Sequence, residues 1–117
     1  MPYYIVACSK SMGKAYVMYT ANKNLTLHLA RIRDALKRTP KPRSILAKVK
    51  ALWEQPDFYL GYAREIRELT MEAVRARALE IAGRFEGGEV LGSTGAFRPP
   101  KPSEVFTPLA HSLPRTP

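Results

Sequence analysis

Two short runs near the start of the chain decide the fold: Tyr3-Tyr4-Ile5-Val6-Ala7-Cys8 and Ala15-Tyr16-Val17-Met18-Tyr19-Thr20. Both runs are rich in β-branched and aromatic residues, which are the types that favour strands. Between them, residues 9–13 form a small polar connection whose length is typical of a hairpin. We therefore predict an antiparallel β-hairpin as the first structural unit.

The hydrophobic period changes after the hairpin from two residues to about 3.6. The apolar positions that recur at this spacing are Leu25, Leu29, Ile32 and Leu36. They predict an amphipathic helix over residues 23–38, with Asn22 or Asn24 accepting hydrogen bonds from its first turn. Pro40 and Pro42 end this helix, because proline cannot donate a backbone hydrogen bond and disfavours helical geometry in the residue before it.

Three further elements are predicted downstream of these prolines. Ser44 caps a second, shorter helix, a third strand covers residues 58–62, and Thr70 caps a third helix. The apolar positions assigned to the third helix are Ala73, Ala76, Ile81 and Phe85. We therefore expect an α+β domain over residues 1–86, with a small three-stranded sheet and the element order β-β-α-α-β-α.

The composition changes sharply at Gly87. Residues 87–117 contain six prolines and four glycines, a composition that disfavours regular structure. We expect an irregular C-terminal tail that is extended or disordered. Its remaining apolar residues leave open whether it lies along the domain or folds onto a partner.

Positive charge is concentrated in one part of the chain. The net charge is +9, and residues 23–50 contribute nine cations against one acid, Asp34. Such a local field favours a polyanionic partner such as nucleic acid, an acidic protein face or anionic lipid, although a merely solvated surface fits the same pattern. The candidate nucleic-acid-binding residues are Lys14, Lys23, Arg31, Lys37, Arg38, Lys41, Arg43 and Lys48.

The numbers of cysteines and histidines and the lengths of the apolar runs argue against disulfides, metal centres and membrane spans. Cys8 is the single cysteine, so neither an internal disulfide nor a cysteine-ligated metal cluster is expected. His28 and His111 are the only histidines, too few for a histidine-rich metal centre. The apolar runs are shorter than a membrane span, and no leader pattern opens the chain. We expect a cytoplasmic protein with no membrane partner.

Residues 1–85 resemble the GIY-YIG nuclease domain. Met1-Pro2-Tyr3 stands where that family has its first name-giving tripeptide and Tyr16-Val17-Met18 where it has the second, so both tyrosines are present and both glycines are absent. The element order and the Lys-x-Tyr-x-x-x-Thr spacing agree as well. The alignment places His28 at the family's helical arginine, Ile32 at a nearby histidine, and Arg77 at the metal-binding glutamate.

The resemblance implies a nuclease-like domain without catalytic activity. In that family, a tyrosine-assisted water attacks a phosphodiester while a divalent ion, held by the glutamate, neutralises the phosphate. With an arginine at that position the ion lacks its protein ligand, so we expect no metal, no cofactor and no catalytic residues. What remains is a vestigial pocket lined by Tyr3, Tyr16, His28 and Arg77.

The leading expectation is therefore nucleic-acid binding by an inactive GIY-YIG-like domain. Two alternatives stay open. One is a small interaction or inhibitor protein whose basic face and proline-rich tail dock on an acidic protein. The other is an active magnesium-dependent endonuclease, which requires Glu72 or Glu80 in the metal-binding position and His28 in place of the family's helical arginine.

Overall fold

The computed structural model describes residues 2–38, 40–94 and 99 of the chain. In chain order, its elements are β1 (Tyr3–Ser9), β2 (Lys14–Thr20), α1 (Leu25–Lys37), α2 (Ile45–Trp53), β3 (Tyr59–Glu65), α3 (Met71–Ala82) and β4 (Gly88–Ser93). The class is α+β, as the sequence predicts. The helices follow the predicted order, but the sheet contains one strand more than expected.

The four strands form one mixed sheet in the order β3-β1-β2-β4. The predicted hairpin is present: β1 and β2 pair antiparallel, from Tyr3 opposite Thr20 to Ser9 opposite Lys14. β3 is antiparallel to β1, whereas β4 runs parallel to β2. The hairpin therefore occupies the centre of the sheet, and β3 and β4 form its two edges.

The prediction of three strands is wrong, because residues 88–93 form β4 within the predicted tail. Val90 and Leu91 supply the apolar contacts of this strand, one to each side of the sheet. The sheet thus continues past residue 86, the predicted end of the domain. The remainder of the predicted tail, apart from Thr94 and Pro99, lies outside the described residues.

Gly87 and Gly88 bring β4 into place through close backbone contacts. Gly87 has φ +65°, and a Cβ there would collide with the carbonyl oxygen of Gly13 in the hairpin turn. A Cβ on Gly88 would collide with the carbonyl oxygen of Ala82 at the end of α3. Only glycine fits such close approaches of the backbone. Gly87 and Gly88 therefore connect α3 to the sheet.

The helices pack on opposite faces of the sheet. Tyr4 and Val6 contact α3 through Val74 and Ala78, and Ile66 completes this core. The intervening residues of β1 point the other way, since successive strand residues alternate in direction. They pack with residues of α1 and α2, and this second core contains Ile5, Ala7, Met18, Ile32, Leu36, Val49 and Leu60.

Local hydrogen bonds explain where two of the helices begin. Asn24 accepts from Leu27 N at 3.0 Å, and Thr70 accepts from Ala73 N at 3.1 Å, so both are side-chain N-caps. Ser44 precedes α2 as predicted, but its hydroxyl donates to the carbonyl oxygen of Lys41 at 2.7 Å. The first turn of α2 therefore has no side-chain cap.

The buried face of α3 differs from the predicted one. The buried residues are Val74, Ala78, Ile81 and Ala82. Ala76 is exposed, and Phe85 lies beyond the end of the helix. Because α3 is rich in alanine, its apolar periodicity in the sequence is weak and several registers fit it nearly equally.

Candidate nucleic-acid interface

Seven of the eight predicted cations lie on one layer of the molecule, formed by α1, α2 and the segments that flank α1. This basic layer consists of Lys23, Arg31, Lys37, Arg38, Lys41, Arg43 and Lys48, all of which are exposed. The eighth, Lys14, lies on β2 and is half-buried. Its ammonium group is 3.2 Å from Glu89 and 5.5 Å from the ring centroid of Tyr16, so it takes part in contacts within the sheet.

The basic layer has few acidic partners. Among the described residues, only Lys37 of this layer has a carboxylate within 4.0 Å, that of Asp34 at 3.8 Å. Two further cations of α1 and α2 bind carbonyl oxygens instead: Arg33 donates to Leu60 at 3.4 Å and Lys50 to Leu36. Apart from the Lys37–Asp34 pair, the cations of the basic layer are therefore not paired with carboxylates of the described residues.

The other side of the sheet shows the opposite pattern. Ion pairs join Arg64 and Arg77 to Glu68, and Arg77 and Arg84 to Glu80. Their N–O distances range from 2.9 Å to 3.6 Å. The excess of positive charge in residues 23–50 therefore lies on one face of the sheet, and these paired charges lie on the other.

One cleft of about 550 Å³ lies between α1, the start of α2 and the ends of β2 and β4. It contains His28 and Arg31 beside an apolar wall that includes Ile32. His28 Nε2 is 2.9 Å from Thr94 Oγ1. Burial, with a smaller contribution from the charge of Arg31, holds the pKa of His28 below its usual value, which favours the neutral ring.

A second cleft, of about 610 Å³, lies on the opposite side of the start of α1. We call it the tyrosine cleft; its lining residues are Tyr3, Lys23, Asn24, Leu25, Thr26, Tyr62 and Glu65. The rings of Tyr3 and Tyr62 meet edge to face, with centroids 5.7 Å apart and an interplanar angle of 76°. Tyr62 is 55% exposed, although it belongs to a strand of the sheet.

The four residues of the predicted vestigial pocket do not come together. Tyr3 is opposite Thr20, whereas Tyr16 is opposite Ala7 and comes four positions before Thr20 in β2. A strand rises by about 3.3 Å per residue, so the backbone positions of the two tyrosines are roughly 13 Å apart along the strand direction. Tyr3 and His28 also line different clefts. Tyr3 lies in the tyrosine cleft, and His28 lies in the cleft on the other side of α1.

Arg77 is further removed still. It lies on α3, which packs against the face of the sheet opposite to α1 and α2. Glu72 and Glu80, the alternatives for a metal ligand, belong to the same helix. A change of helix register therefore brings none of these side chains to Tyr3, Tyr16 or His28, because the sheet stands between them.

Within the described residues, no group of three or more His, Cys, Asp or Glu side chains is placed as a metal site requires. Cys8 is half-buried, and burial together with the charge of Asp57 raises the pKa of its thiol. Such a shift favours the unreactive protonated form. His111 lies outside the described residues.

Comparison of the chain with protein families, with curated proteins and with solved structures finds no match. In the described ranges, no helix has the length and apolar character needed to cross a membrane.

Sequence reasoning missed Tyr62 as a surface residue of interest. It places Tyr62 at the end of a strand, where an aromatic side chain is ordinary. Gly61, which precedes Tyr62 in the strand, lies on the other face of the sheet, so its small size does not indicate how exposed this ring is. The edge position of β3 is set by the order of strands in the sheet, which the local sequence does not specify.

Proposed function

We propose that this protein binds nucleic acid by contacting its phosphate backbone with the basic layer of α1 and α2, and that it does so without cleaving it. The observation that supports the proposal most is the scarcity of acidic partners around that layer among the described residues. Six exposed cations there lack a carboxylate within 4.0 Å in the described chain, whereas most arginines near α3 are paired.

The physical reason is the release of counterions. Nucleic acid carries condensed cations, and each lysine or arginine that neutralises a phosphate releases them, which makes association favourable at low salt. An arginine already bound to a carboxylate must give up that interaction first. Unpaired exposed cations such as Arg31, Arg38 and Arg43 do not bear this penalty.

The proposal of binding without cleavage is supported by the positions of the residues to which the nuclease resemblance assigns catalytic roles. Tyr3 and Tyr16 are separated along the sheet, and the carboxylates of α3 lie behind it. A phosphate on the basic layer would meet cations and helix surface, with no carboxylate of α3 beside it. The proposal therefore keeps the phosphate-binding part of the sequence-based hypothesis and omits a shared active-site pocket.

The test compares two variants that lose the same amount of charge. In the first, Arg31, Lys37, Arg38 and Arg43 of the basic layer are replaced by Ala. In the second, the substitutions are placed at exposed cations elsewhere, Lys10, Arg67, Arg75 and Arg84. Binding of a labelled oligonucleotide, single-stranded or duplex, is followed by fluorescence anisotropy at low salt.

We expect the first variant to bind much more weakly than the parent and the second to bind nearly as well. Equal affinities for the two variants would contradict the proposal, because net charge would then explain the binding. Competition with polyglutamate tests the protein-partner alternative. A polyglutamate chain that displaces the oligonucleotide at equal charge concentration would favour an acidic protein as the partner.

A further inference from the structure

Tyr62 presents an aromatic ring at an edge of the sheet. Its side chain is 55% exposed and is supported on one side by the ring of Tyr3, at 5.7 Å and 76°. Tyr62 is opposite Ile5 in the sheet, so it lies on the α1 side. An exposed ring held by a second ring is oriented while its free surface stays available for a ligand.

The surroundings of this ring are positively charged. Lys23 lines the same cleft, and Arg33 of α1 reaches the carbonyl oxygen of Leu60, two residues before Tyr62 on β3. Neither cation has a carboxylate within 4.0 Å among the described residues. The one acid of the cleft, Glu65, accepts from Arg67 at 3.2 Å. Lys23 thus lies in the cleft itself, and Arg33 lies beside the adjoining part of β3.

Aromatic rings beside cations match the chemistry of a single nucleic-acid strand. An unpaired base can stack on a tyrosine ring while the adjoining phosphates contact lysine and arginine. Bases inside a duplex stack on one another, and their faces are closed to a side chain that does not distort the helix. An acidic peptide would satisfy the cations but would leave the ring surface without a flat partner.

We propose that the tyrosine cleft is a stacking site for one base of single-stranded nucleic acid, with Tyr62 as the platform and Lys23 and Arg33 as phosphate contacts. This inference rests on the proposed function and specifies its ligand as a strand with unpaired bases. RNA and DNA share the chemistry, and oligouridylate and oligothymidylate distinguish them in the test.

The chain supplies a matched control for Tyr62. Tyr59 is also an exposed tyrosine of β3, 59% accessible, but it is opposite Cys8 and therefore lies on the α3 side of the strand. The experiment measures affinities of the full chain and of Tyr62→Ala, Tyr62→Phe and Tyr59→Ala. The ligands are the two single-stranded oligonucleotides, a duplex, and an abasic phosphodiester strand of equal length.

We expect Tyr62→Ala to weaken binding of the base-bearing strands by roughly five-fold or more, the lower end of the contribution of one stacked base. Its affinity for the abasic strand and for the duplex stays that of the parent. Tyr62→Phe keeps the ring and binds as the parent does, and so does Tyr59→Ala. Should Tyr62→Ala lower the melting temperature, Tyr62→Ile keeps an apolar contact for Tyr3 and carries the same test.

Three results would overturn the inference: an equal loss for the abasic strand, an equal loss in Tyr59→Ala, or no loss in Tyr62→Ala. A shift from dimer to monomer in Tyr62→Ala, with unchanged binding of oligonucleotides, would assign the cleft to self-association instead. Failure of the proposed function is a different result. In that case no ligand binds in a salt-dependent manner, and the abasic strand is not bound by the parent.

Discussion

Arg77 binds Glu68 through Nε at 3.3 Å, on the face of the sheet opposite to α1. Glu68 also accepts from the hydroxyl of Tyr4 at 2.8 Å and from Arg64 at 3.1 Å. Although burial raises the pKa of Glu68, hydrogen bonds from Tyr4 and from the backbone, with the charge of Arg64, lower it overall. Arg77 is therefore part of an ionised cluster that joins β1, β3 and α3, and its charge is already matched.

Replacement of Glu68 by Ala should destabilise the fold. Tyr4 is fully buried, and the substitution leaves its hydroxyl with only a 3.3 Å contact to the carbonyl oxygen of Val74. Arg77 loses one of its two acidic partners at the same time. We expect the free energy of unfolding to fall by about 1–3 kcal/mol, the range for a buried polar group that loses its partner. Urea unfolding followed by circular dichroism measures it.

Glu72→Ala is the control for this substitution. Glu72 is exposed at the start of α3, and none of the ion pairs of the described residues involves it. Its removal should change the free energy of unfolding by no more than about 0.5 kcal/mol, as is usual for exposed positions. Equal effects of Glu68→Ala and Glu72→Ala would show that the Tyr4–Glu68–Arg77 cluster adds nothing to stability.

His28 should make the fold less stable in mild acid. Its pKa in the folded protein is held below the ordinary value of about 6.5, chiefly by burial. The unfolded chain therefore binds the proton more readily, and the free energy of unfolding falls as the pH drops through about 6.5 and levels off below the folded-state pKa. Stability measured between neutral and mildly acidic pH should show this decline.

Comparison of His28→Gln with its parent isolates the effect, provided that both proteins carry His111→Gln so that only His28 differs. The Gln variant should show a flatter dependence of stability on pH, and the two curves should run parallel above about pH 7.5, where His28 is neutral in both the folded and the unfolded chain. Curves that run parallel over the whole range would mean that His28 titrates alike in the folded and unfolded chain.

Gly88→Ala should weaken the attachment of β4. The added Cβ would meet the carbonyl oxygen of Ala82, which belongs to the backbone and cannot move aside without shifting α3. We expect a loss of about 1–3 kcal/mol in the free energy of unfolding, as for other overpacked sites. Gly83→Ala is the control, because Gly83 has φ −64° and a Cβ there lies 3.5 Å from its nearest neighbours.

Gly83→Ala should leave stability unchanged or raise it slightly, since the substitution reduces the freedom of the unfolded chain. If Gly88→Ala proves as harmless as Gly83→Ala, β4 is held less closely to α3 than the structure indicates. Chemical unfolding of the two variants in parallel decides between these outcomes.

The sequence predicts the hairpin and α1 well because their signals are local. Strand-forming residues on both sides of a short polar turn specify β1 and β2, and the spacing of Leu25, Leu29, Ile32 and Leu36 specifies a helix. Asn24 and Thr70 are capping residues in the structure as the sequence indicates. Each of these features depends on residues within a few positions of one another.

The sequence does not predict β4, and it does not predict that the residues of the vestigial pocket lie apart. Both features depend on contacts between distant segments. β4 is short and begins with glycine, and it pairs with a strand about 70 residues earlier in the chain. Whether Arg77 and His28 share a pocket depends on the face of the sheet that each helix covers. The helical periodicity of α1 or α3 carries no information about that choice.

The salt dependence of nucleic-acid binding tests the central claim most directly. For a single strand, the logarithm of the association constant falls against the logarithm of salt concentration with a slope of about 0.7 for each phosphate contacted. The variant lacking Arg31, Lys37, Arg38 and Arg43 should show a slope that is shallower by about 0.7 for each of these residues that contacts phosphate. The variant lacking Lys10, Arg67, Arg75 and Arg84 should keep the slope of the parent. Equal slopes for the two variants would contradict the assignment of phosphate contacts to the basic layer of α1 and α2.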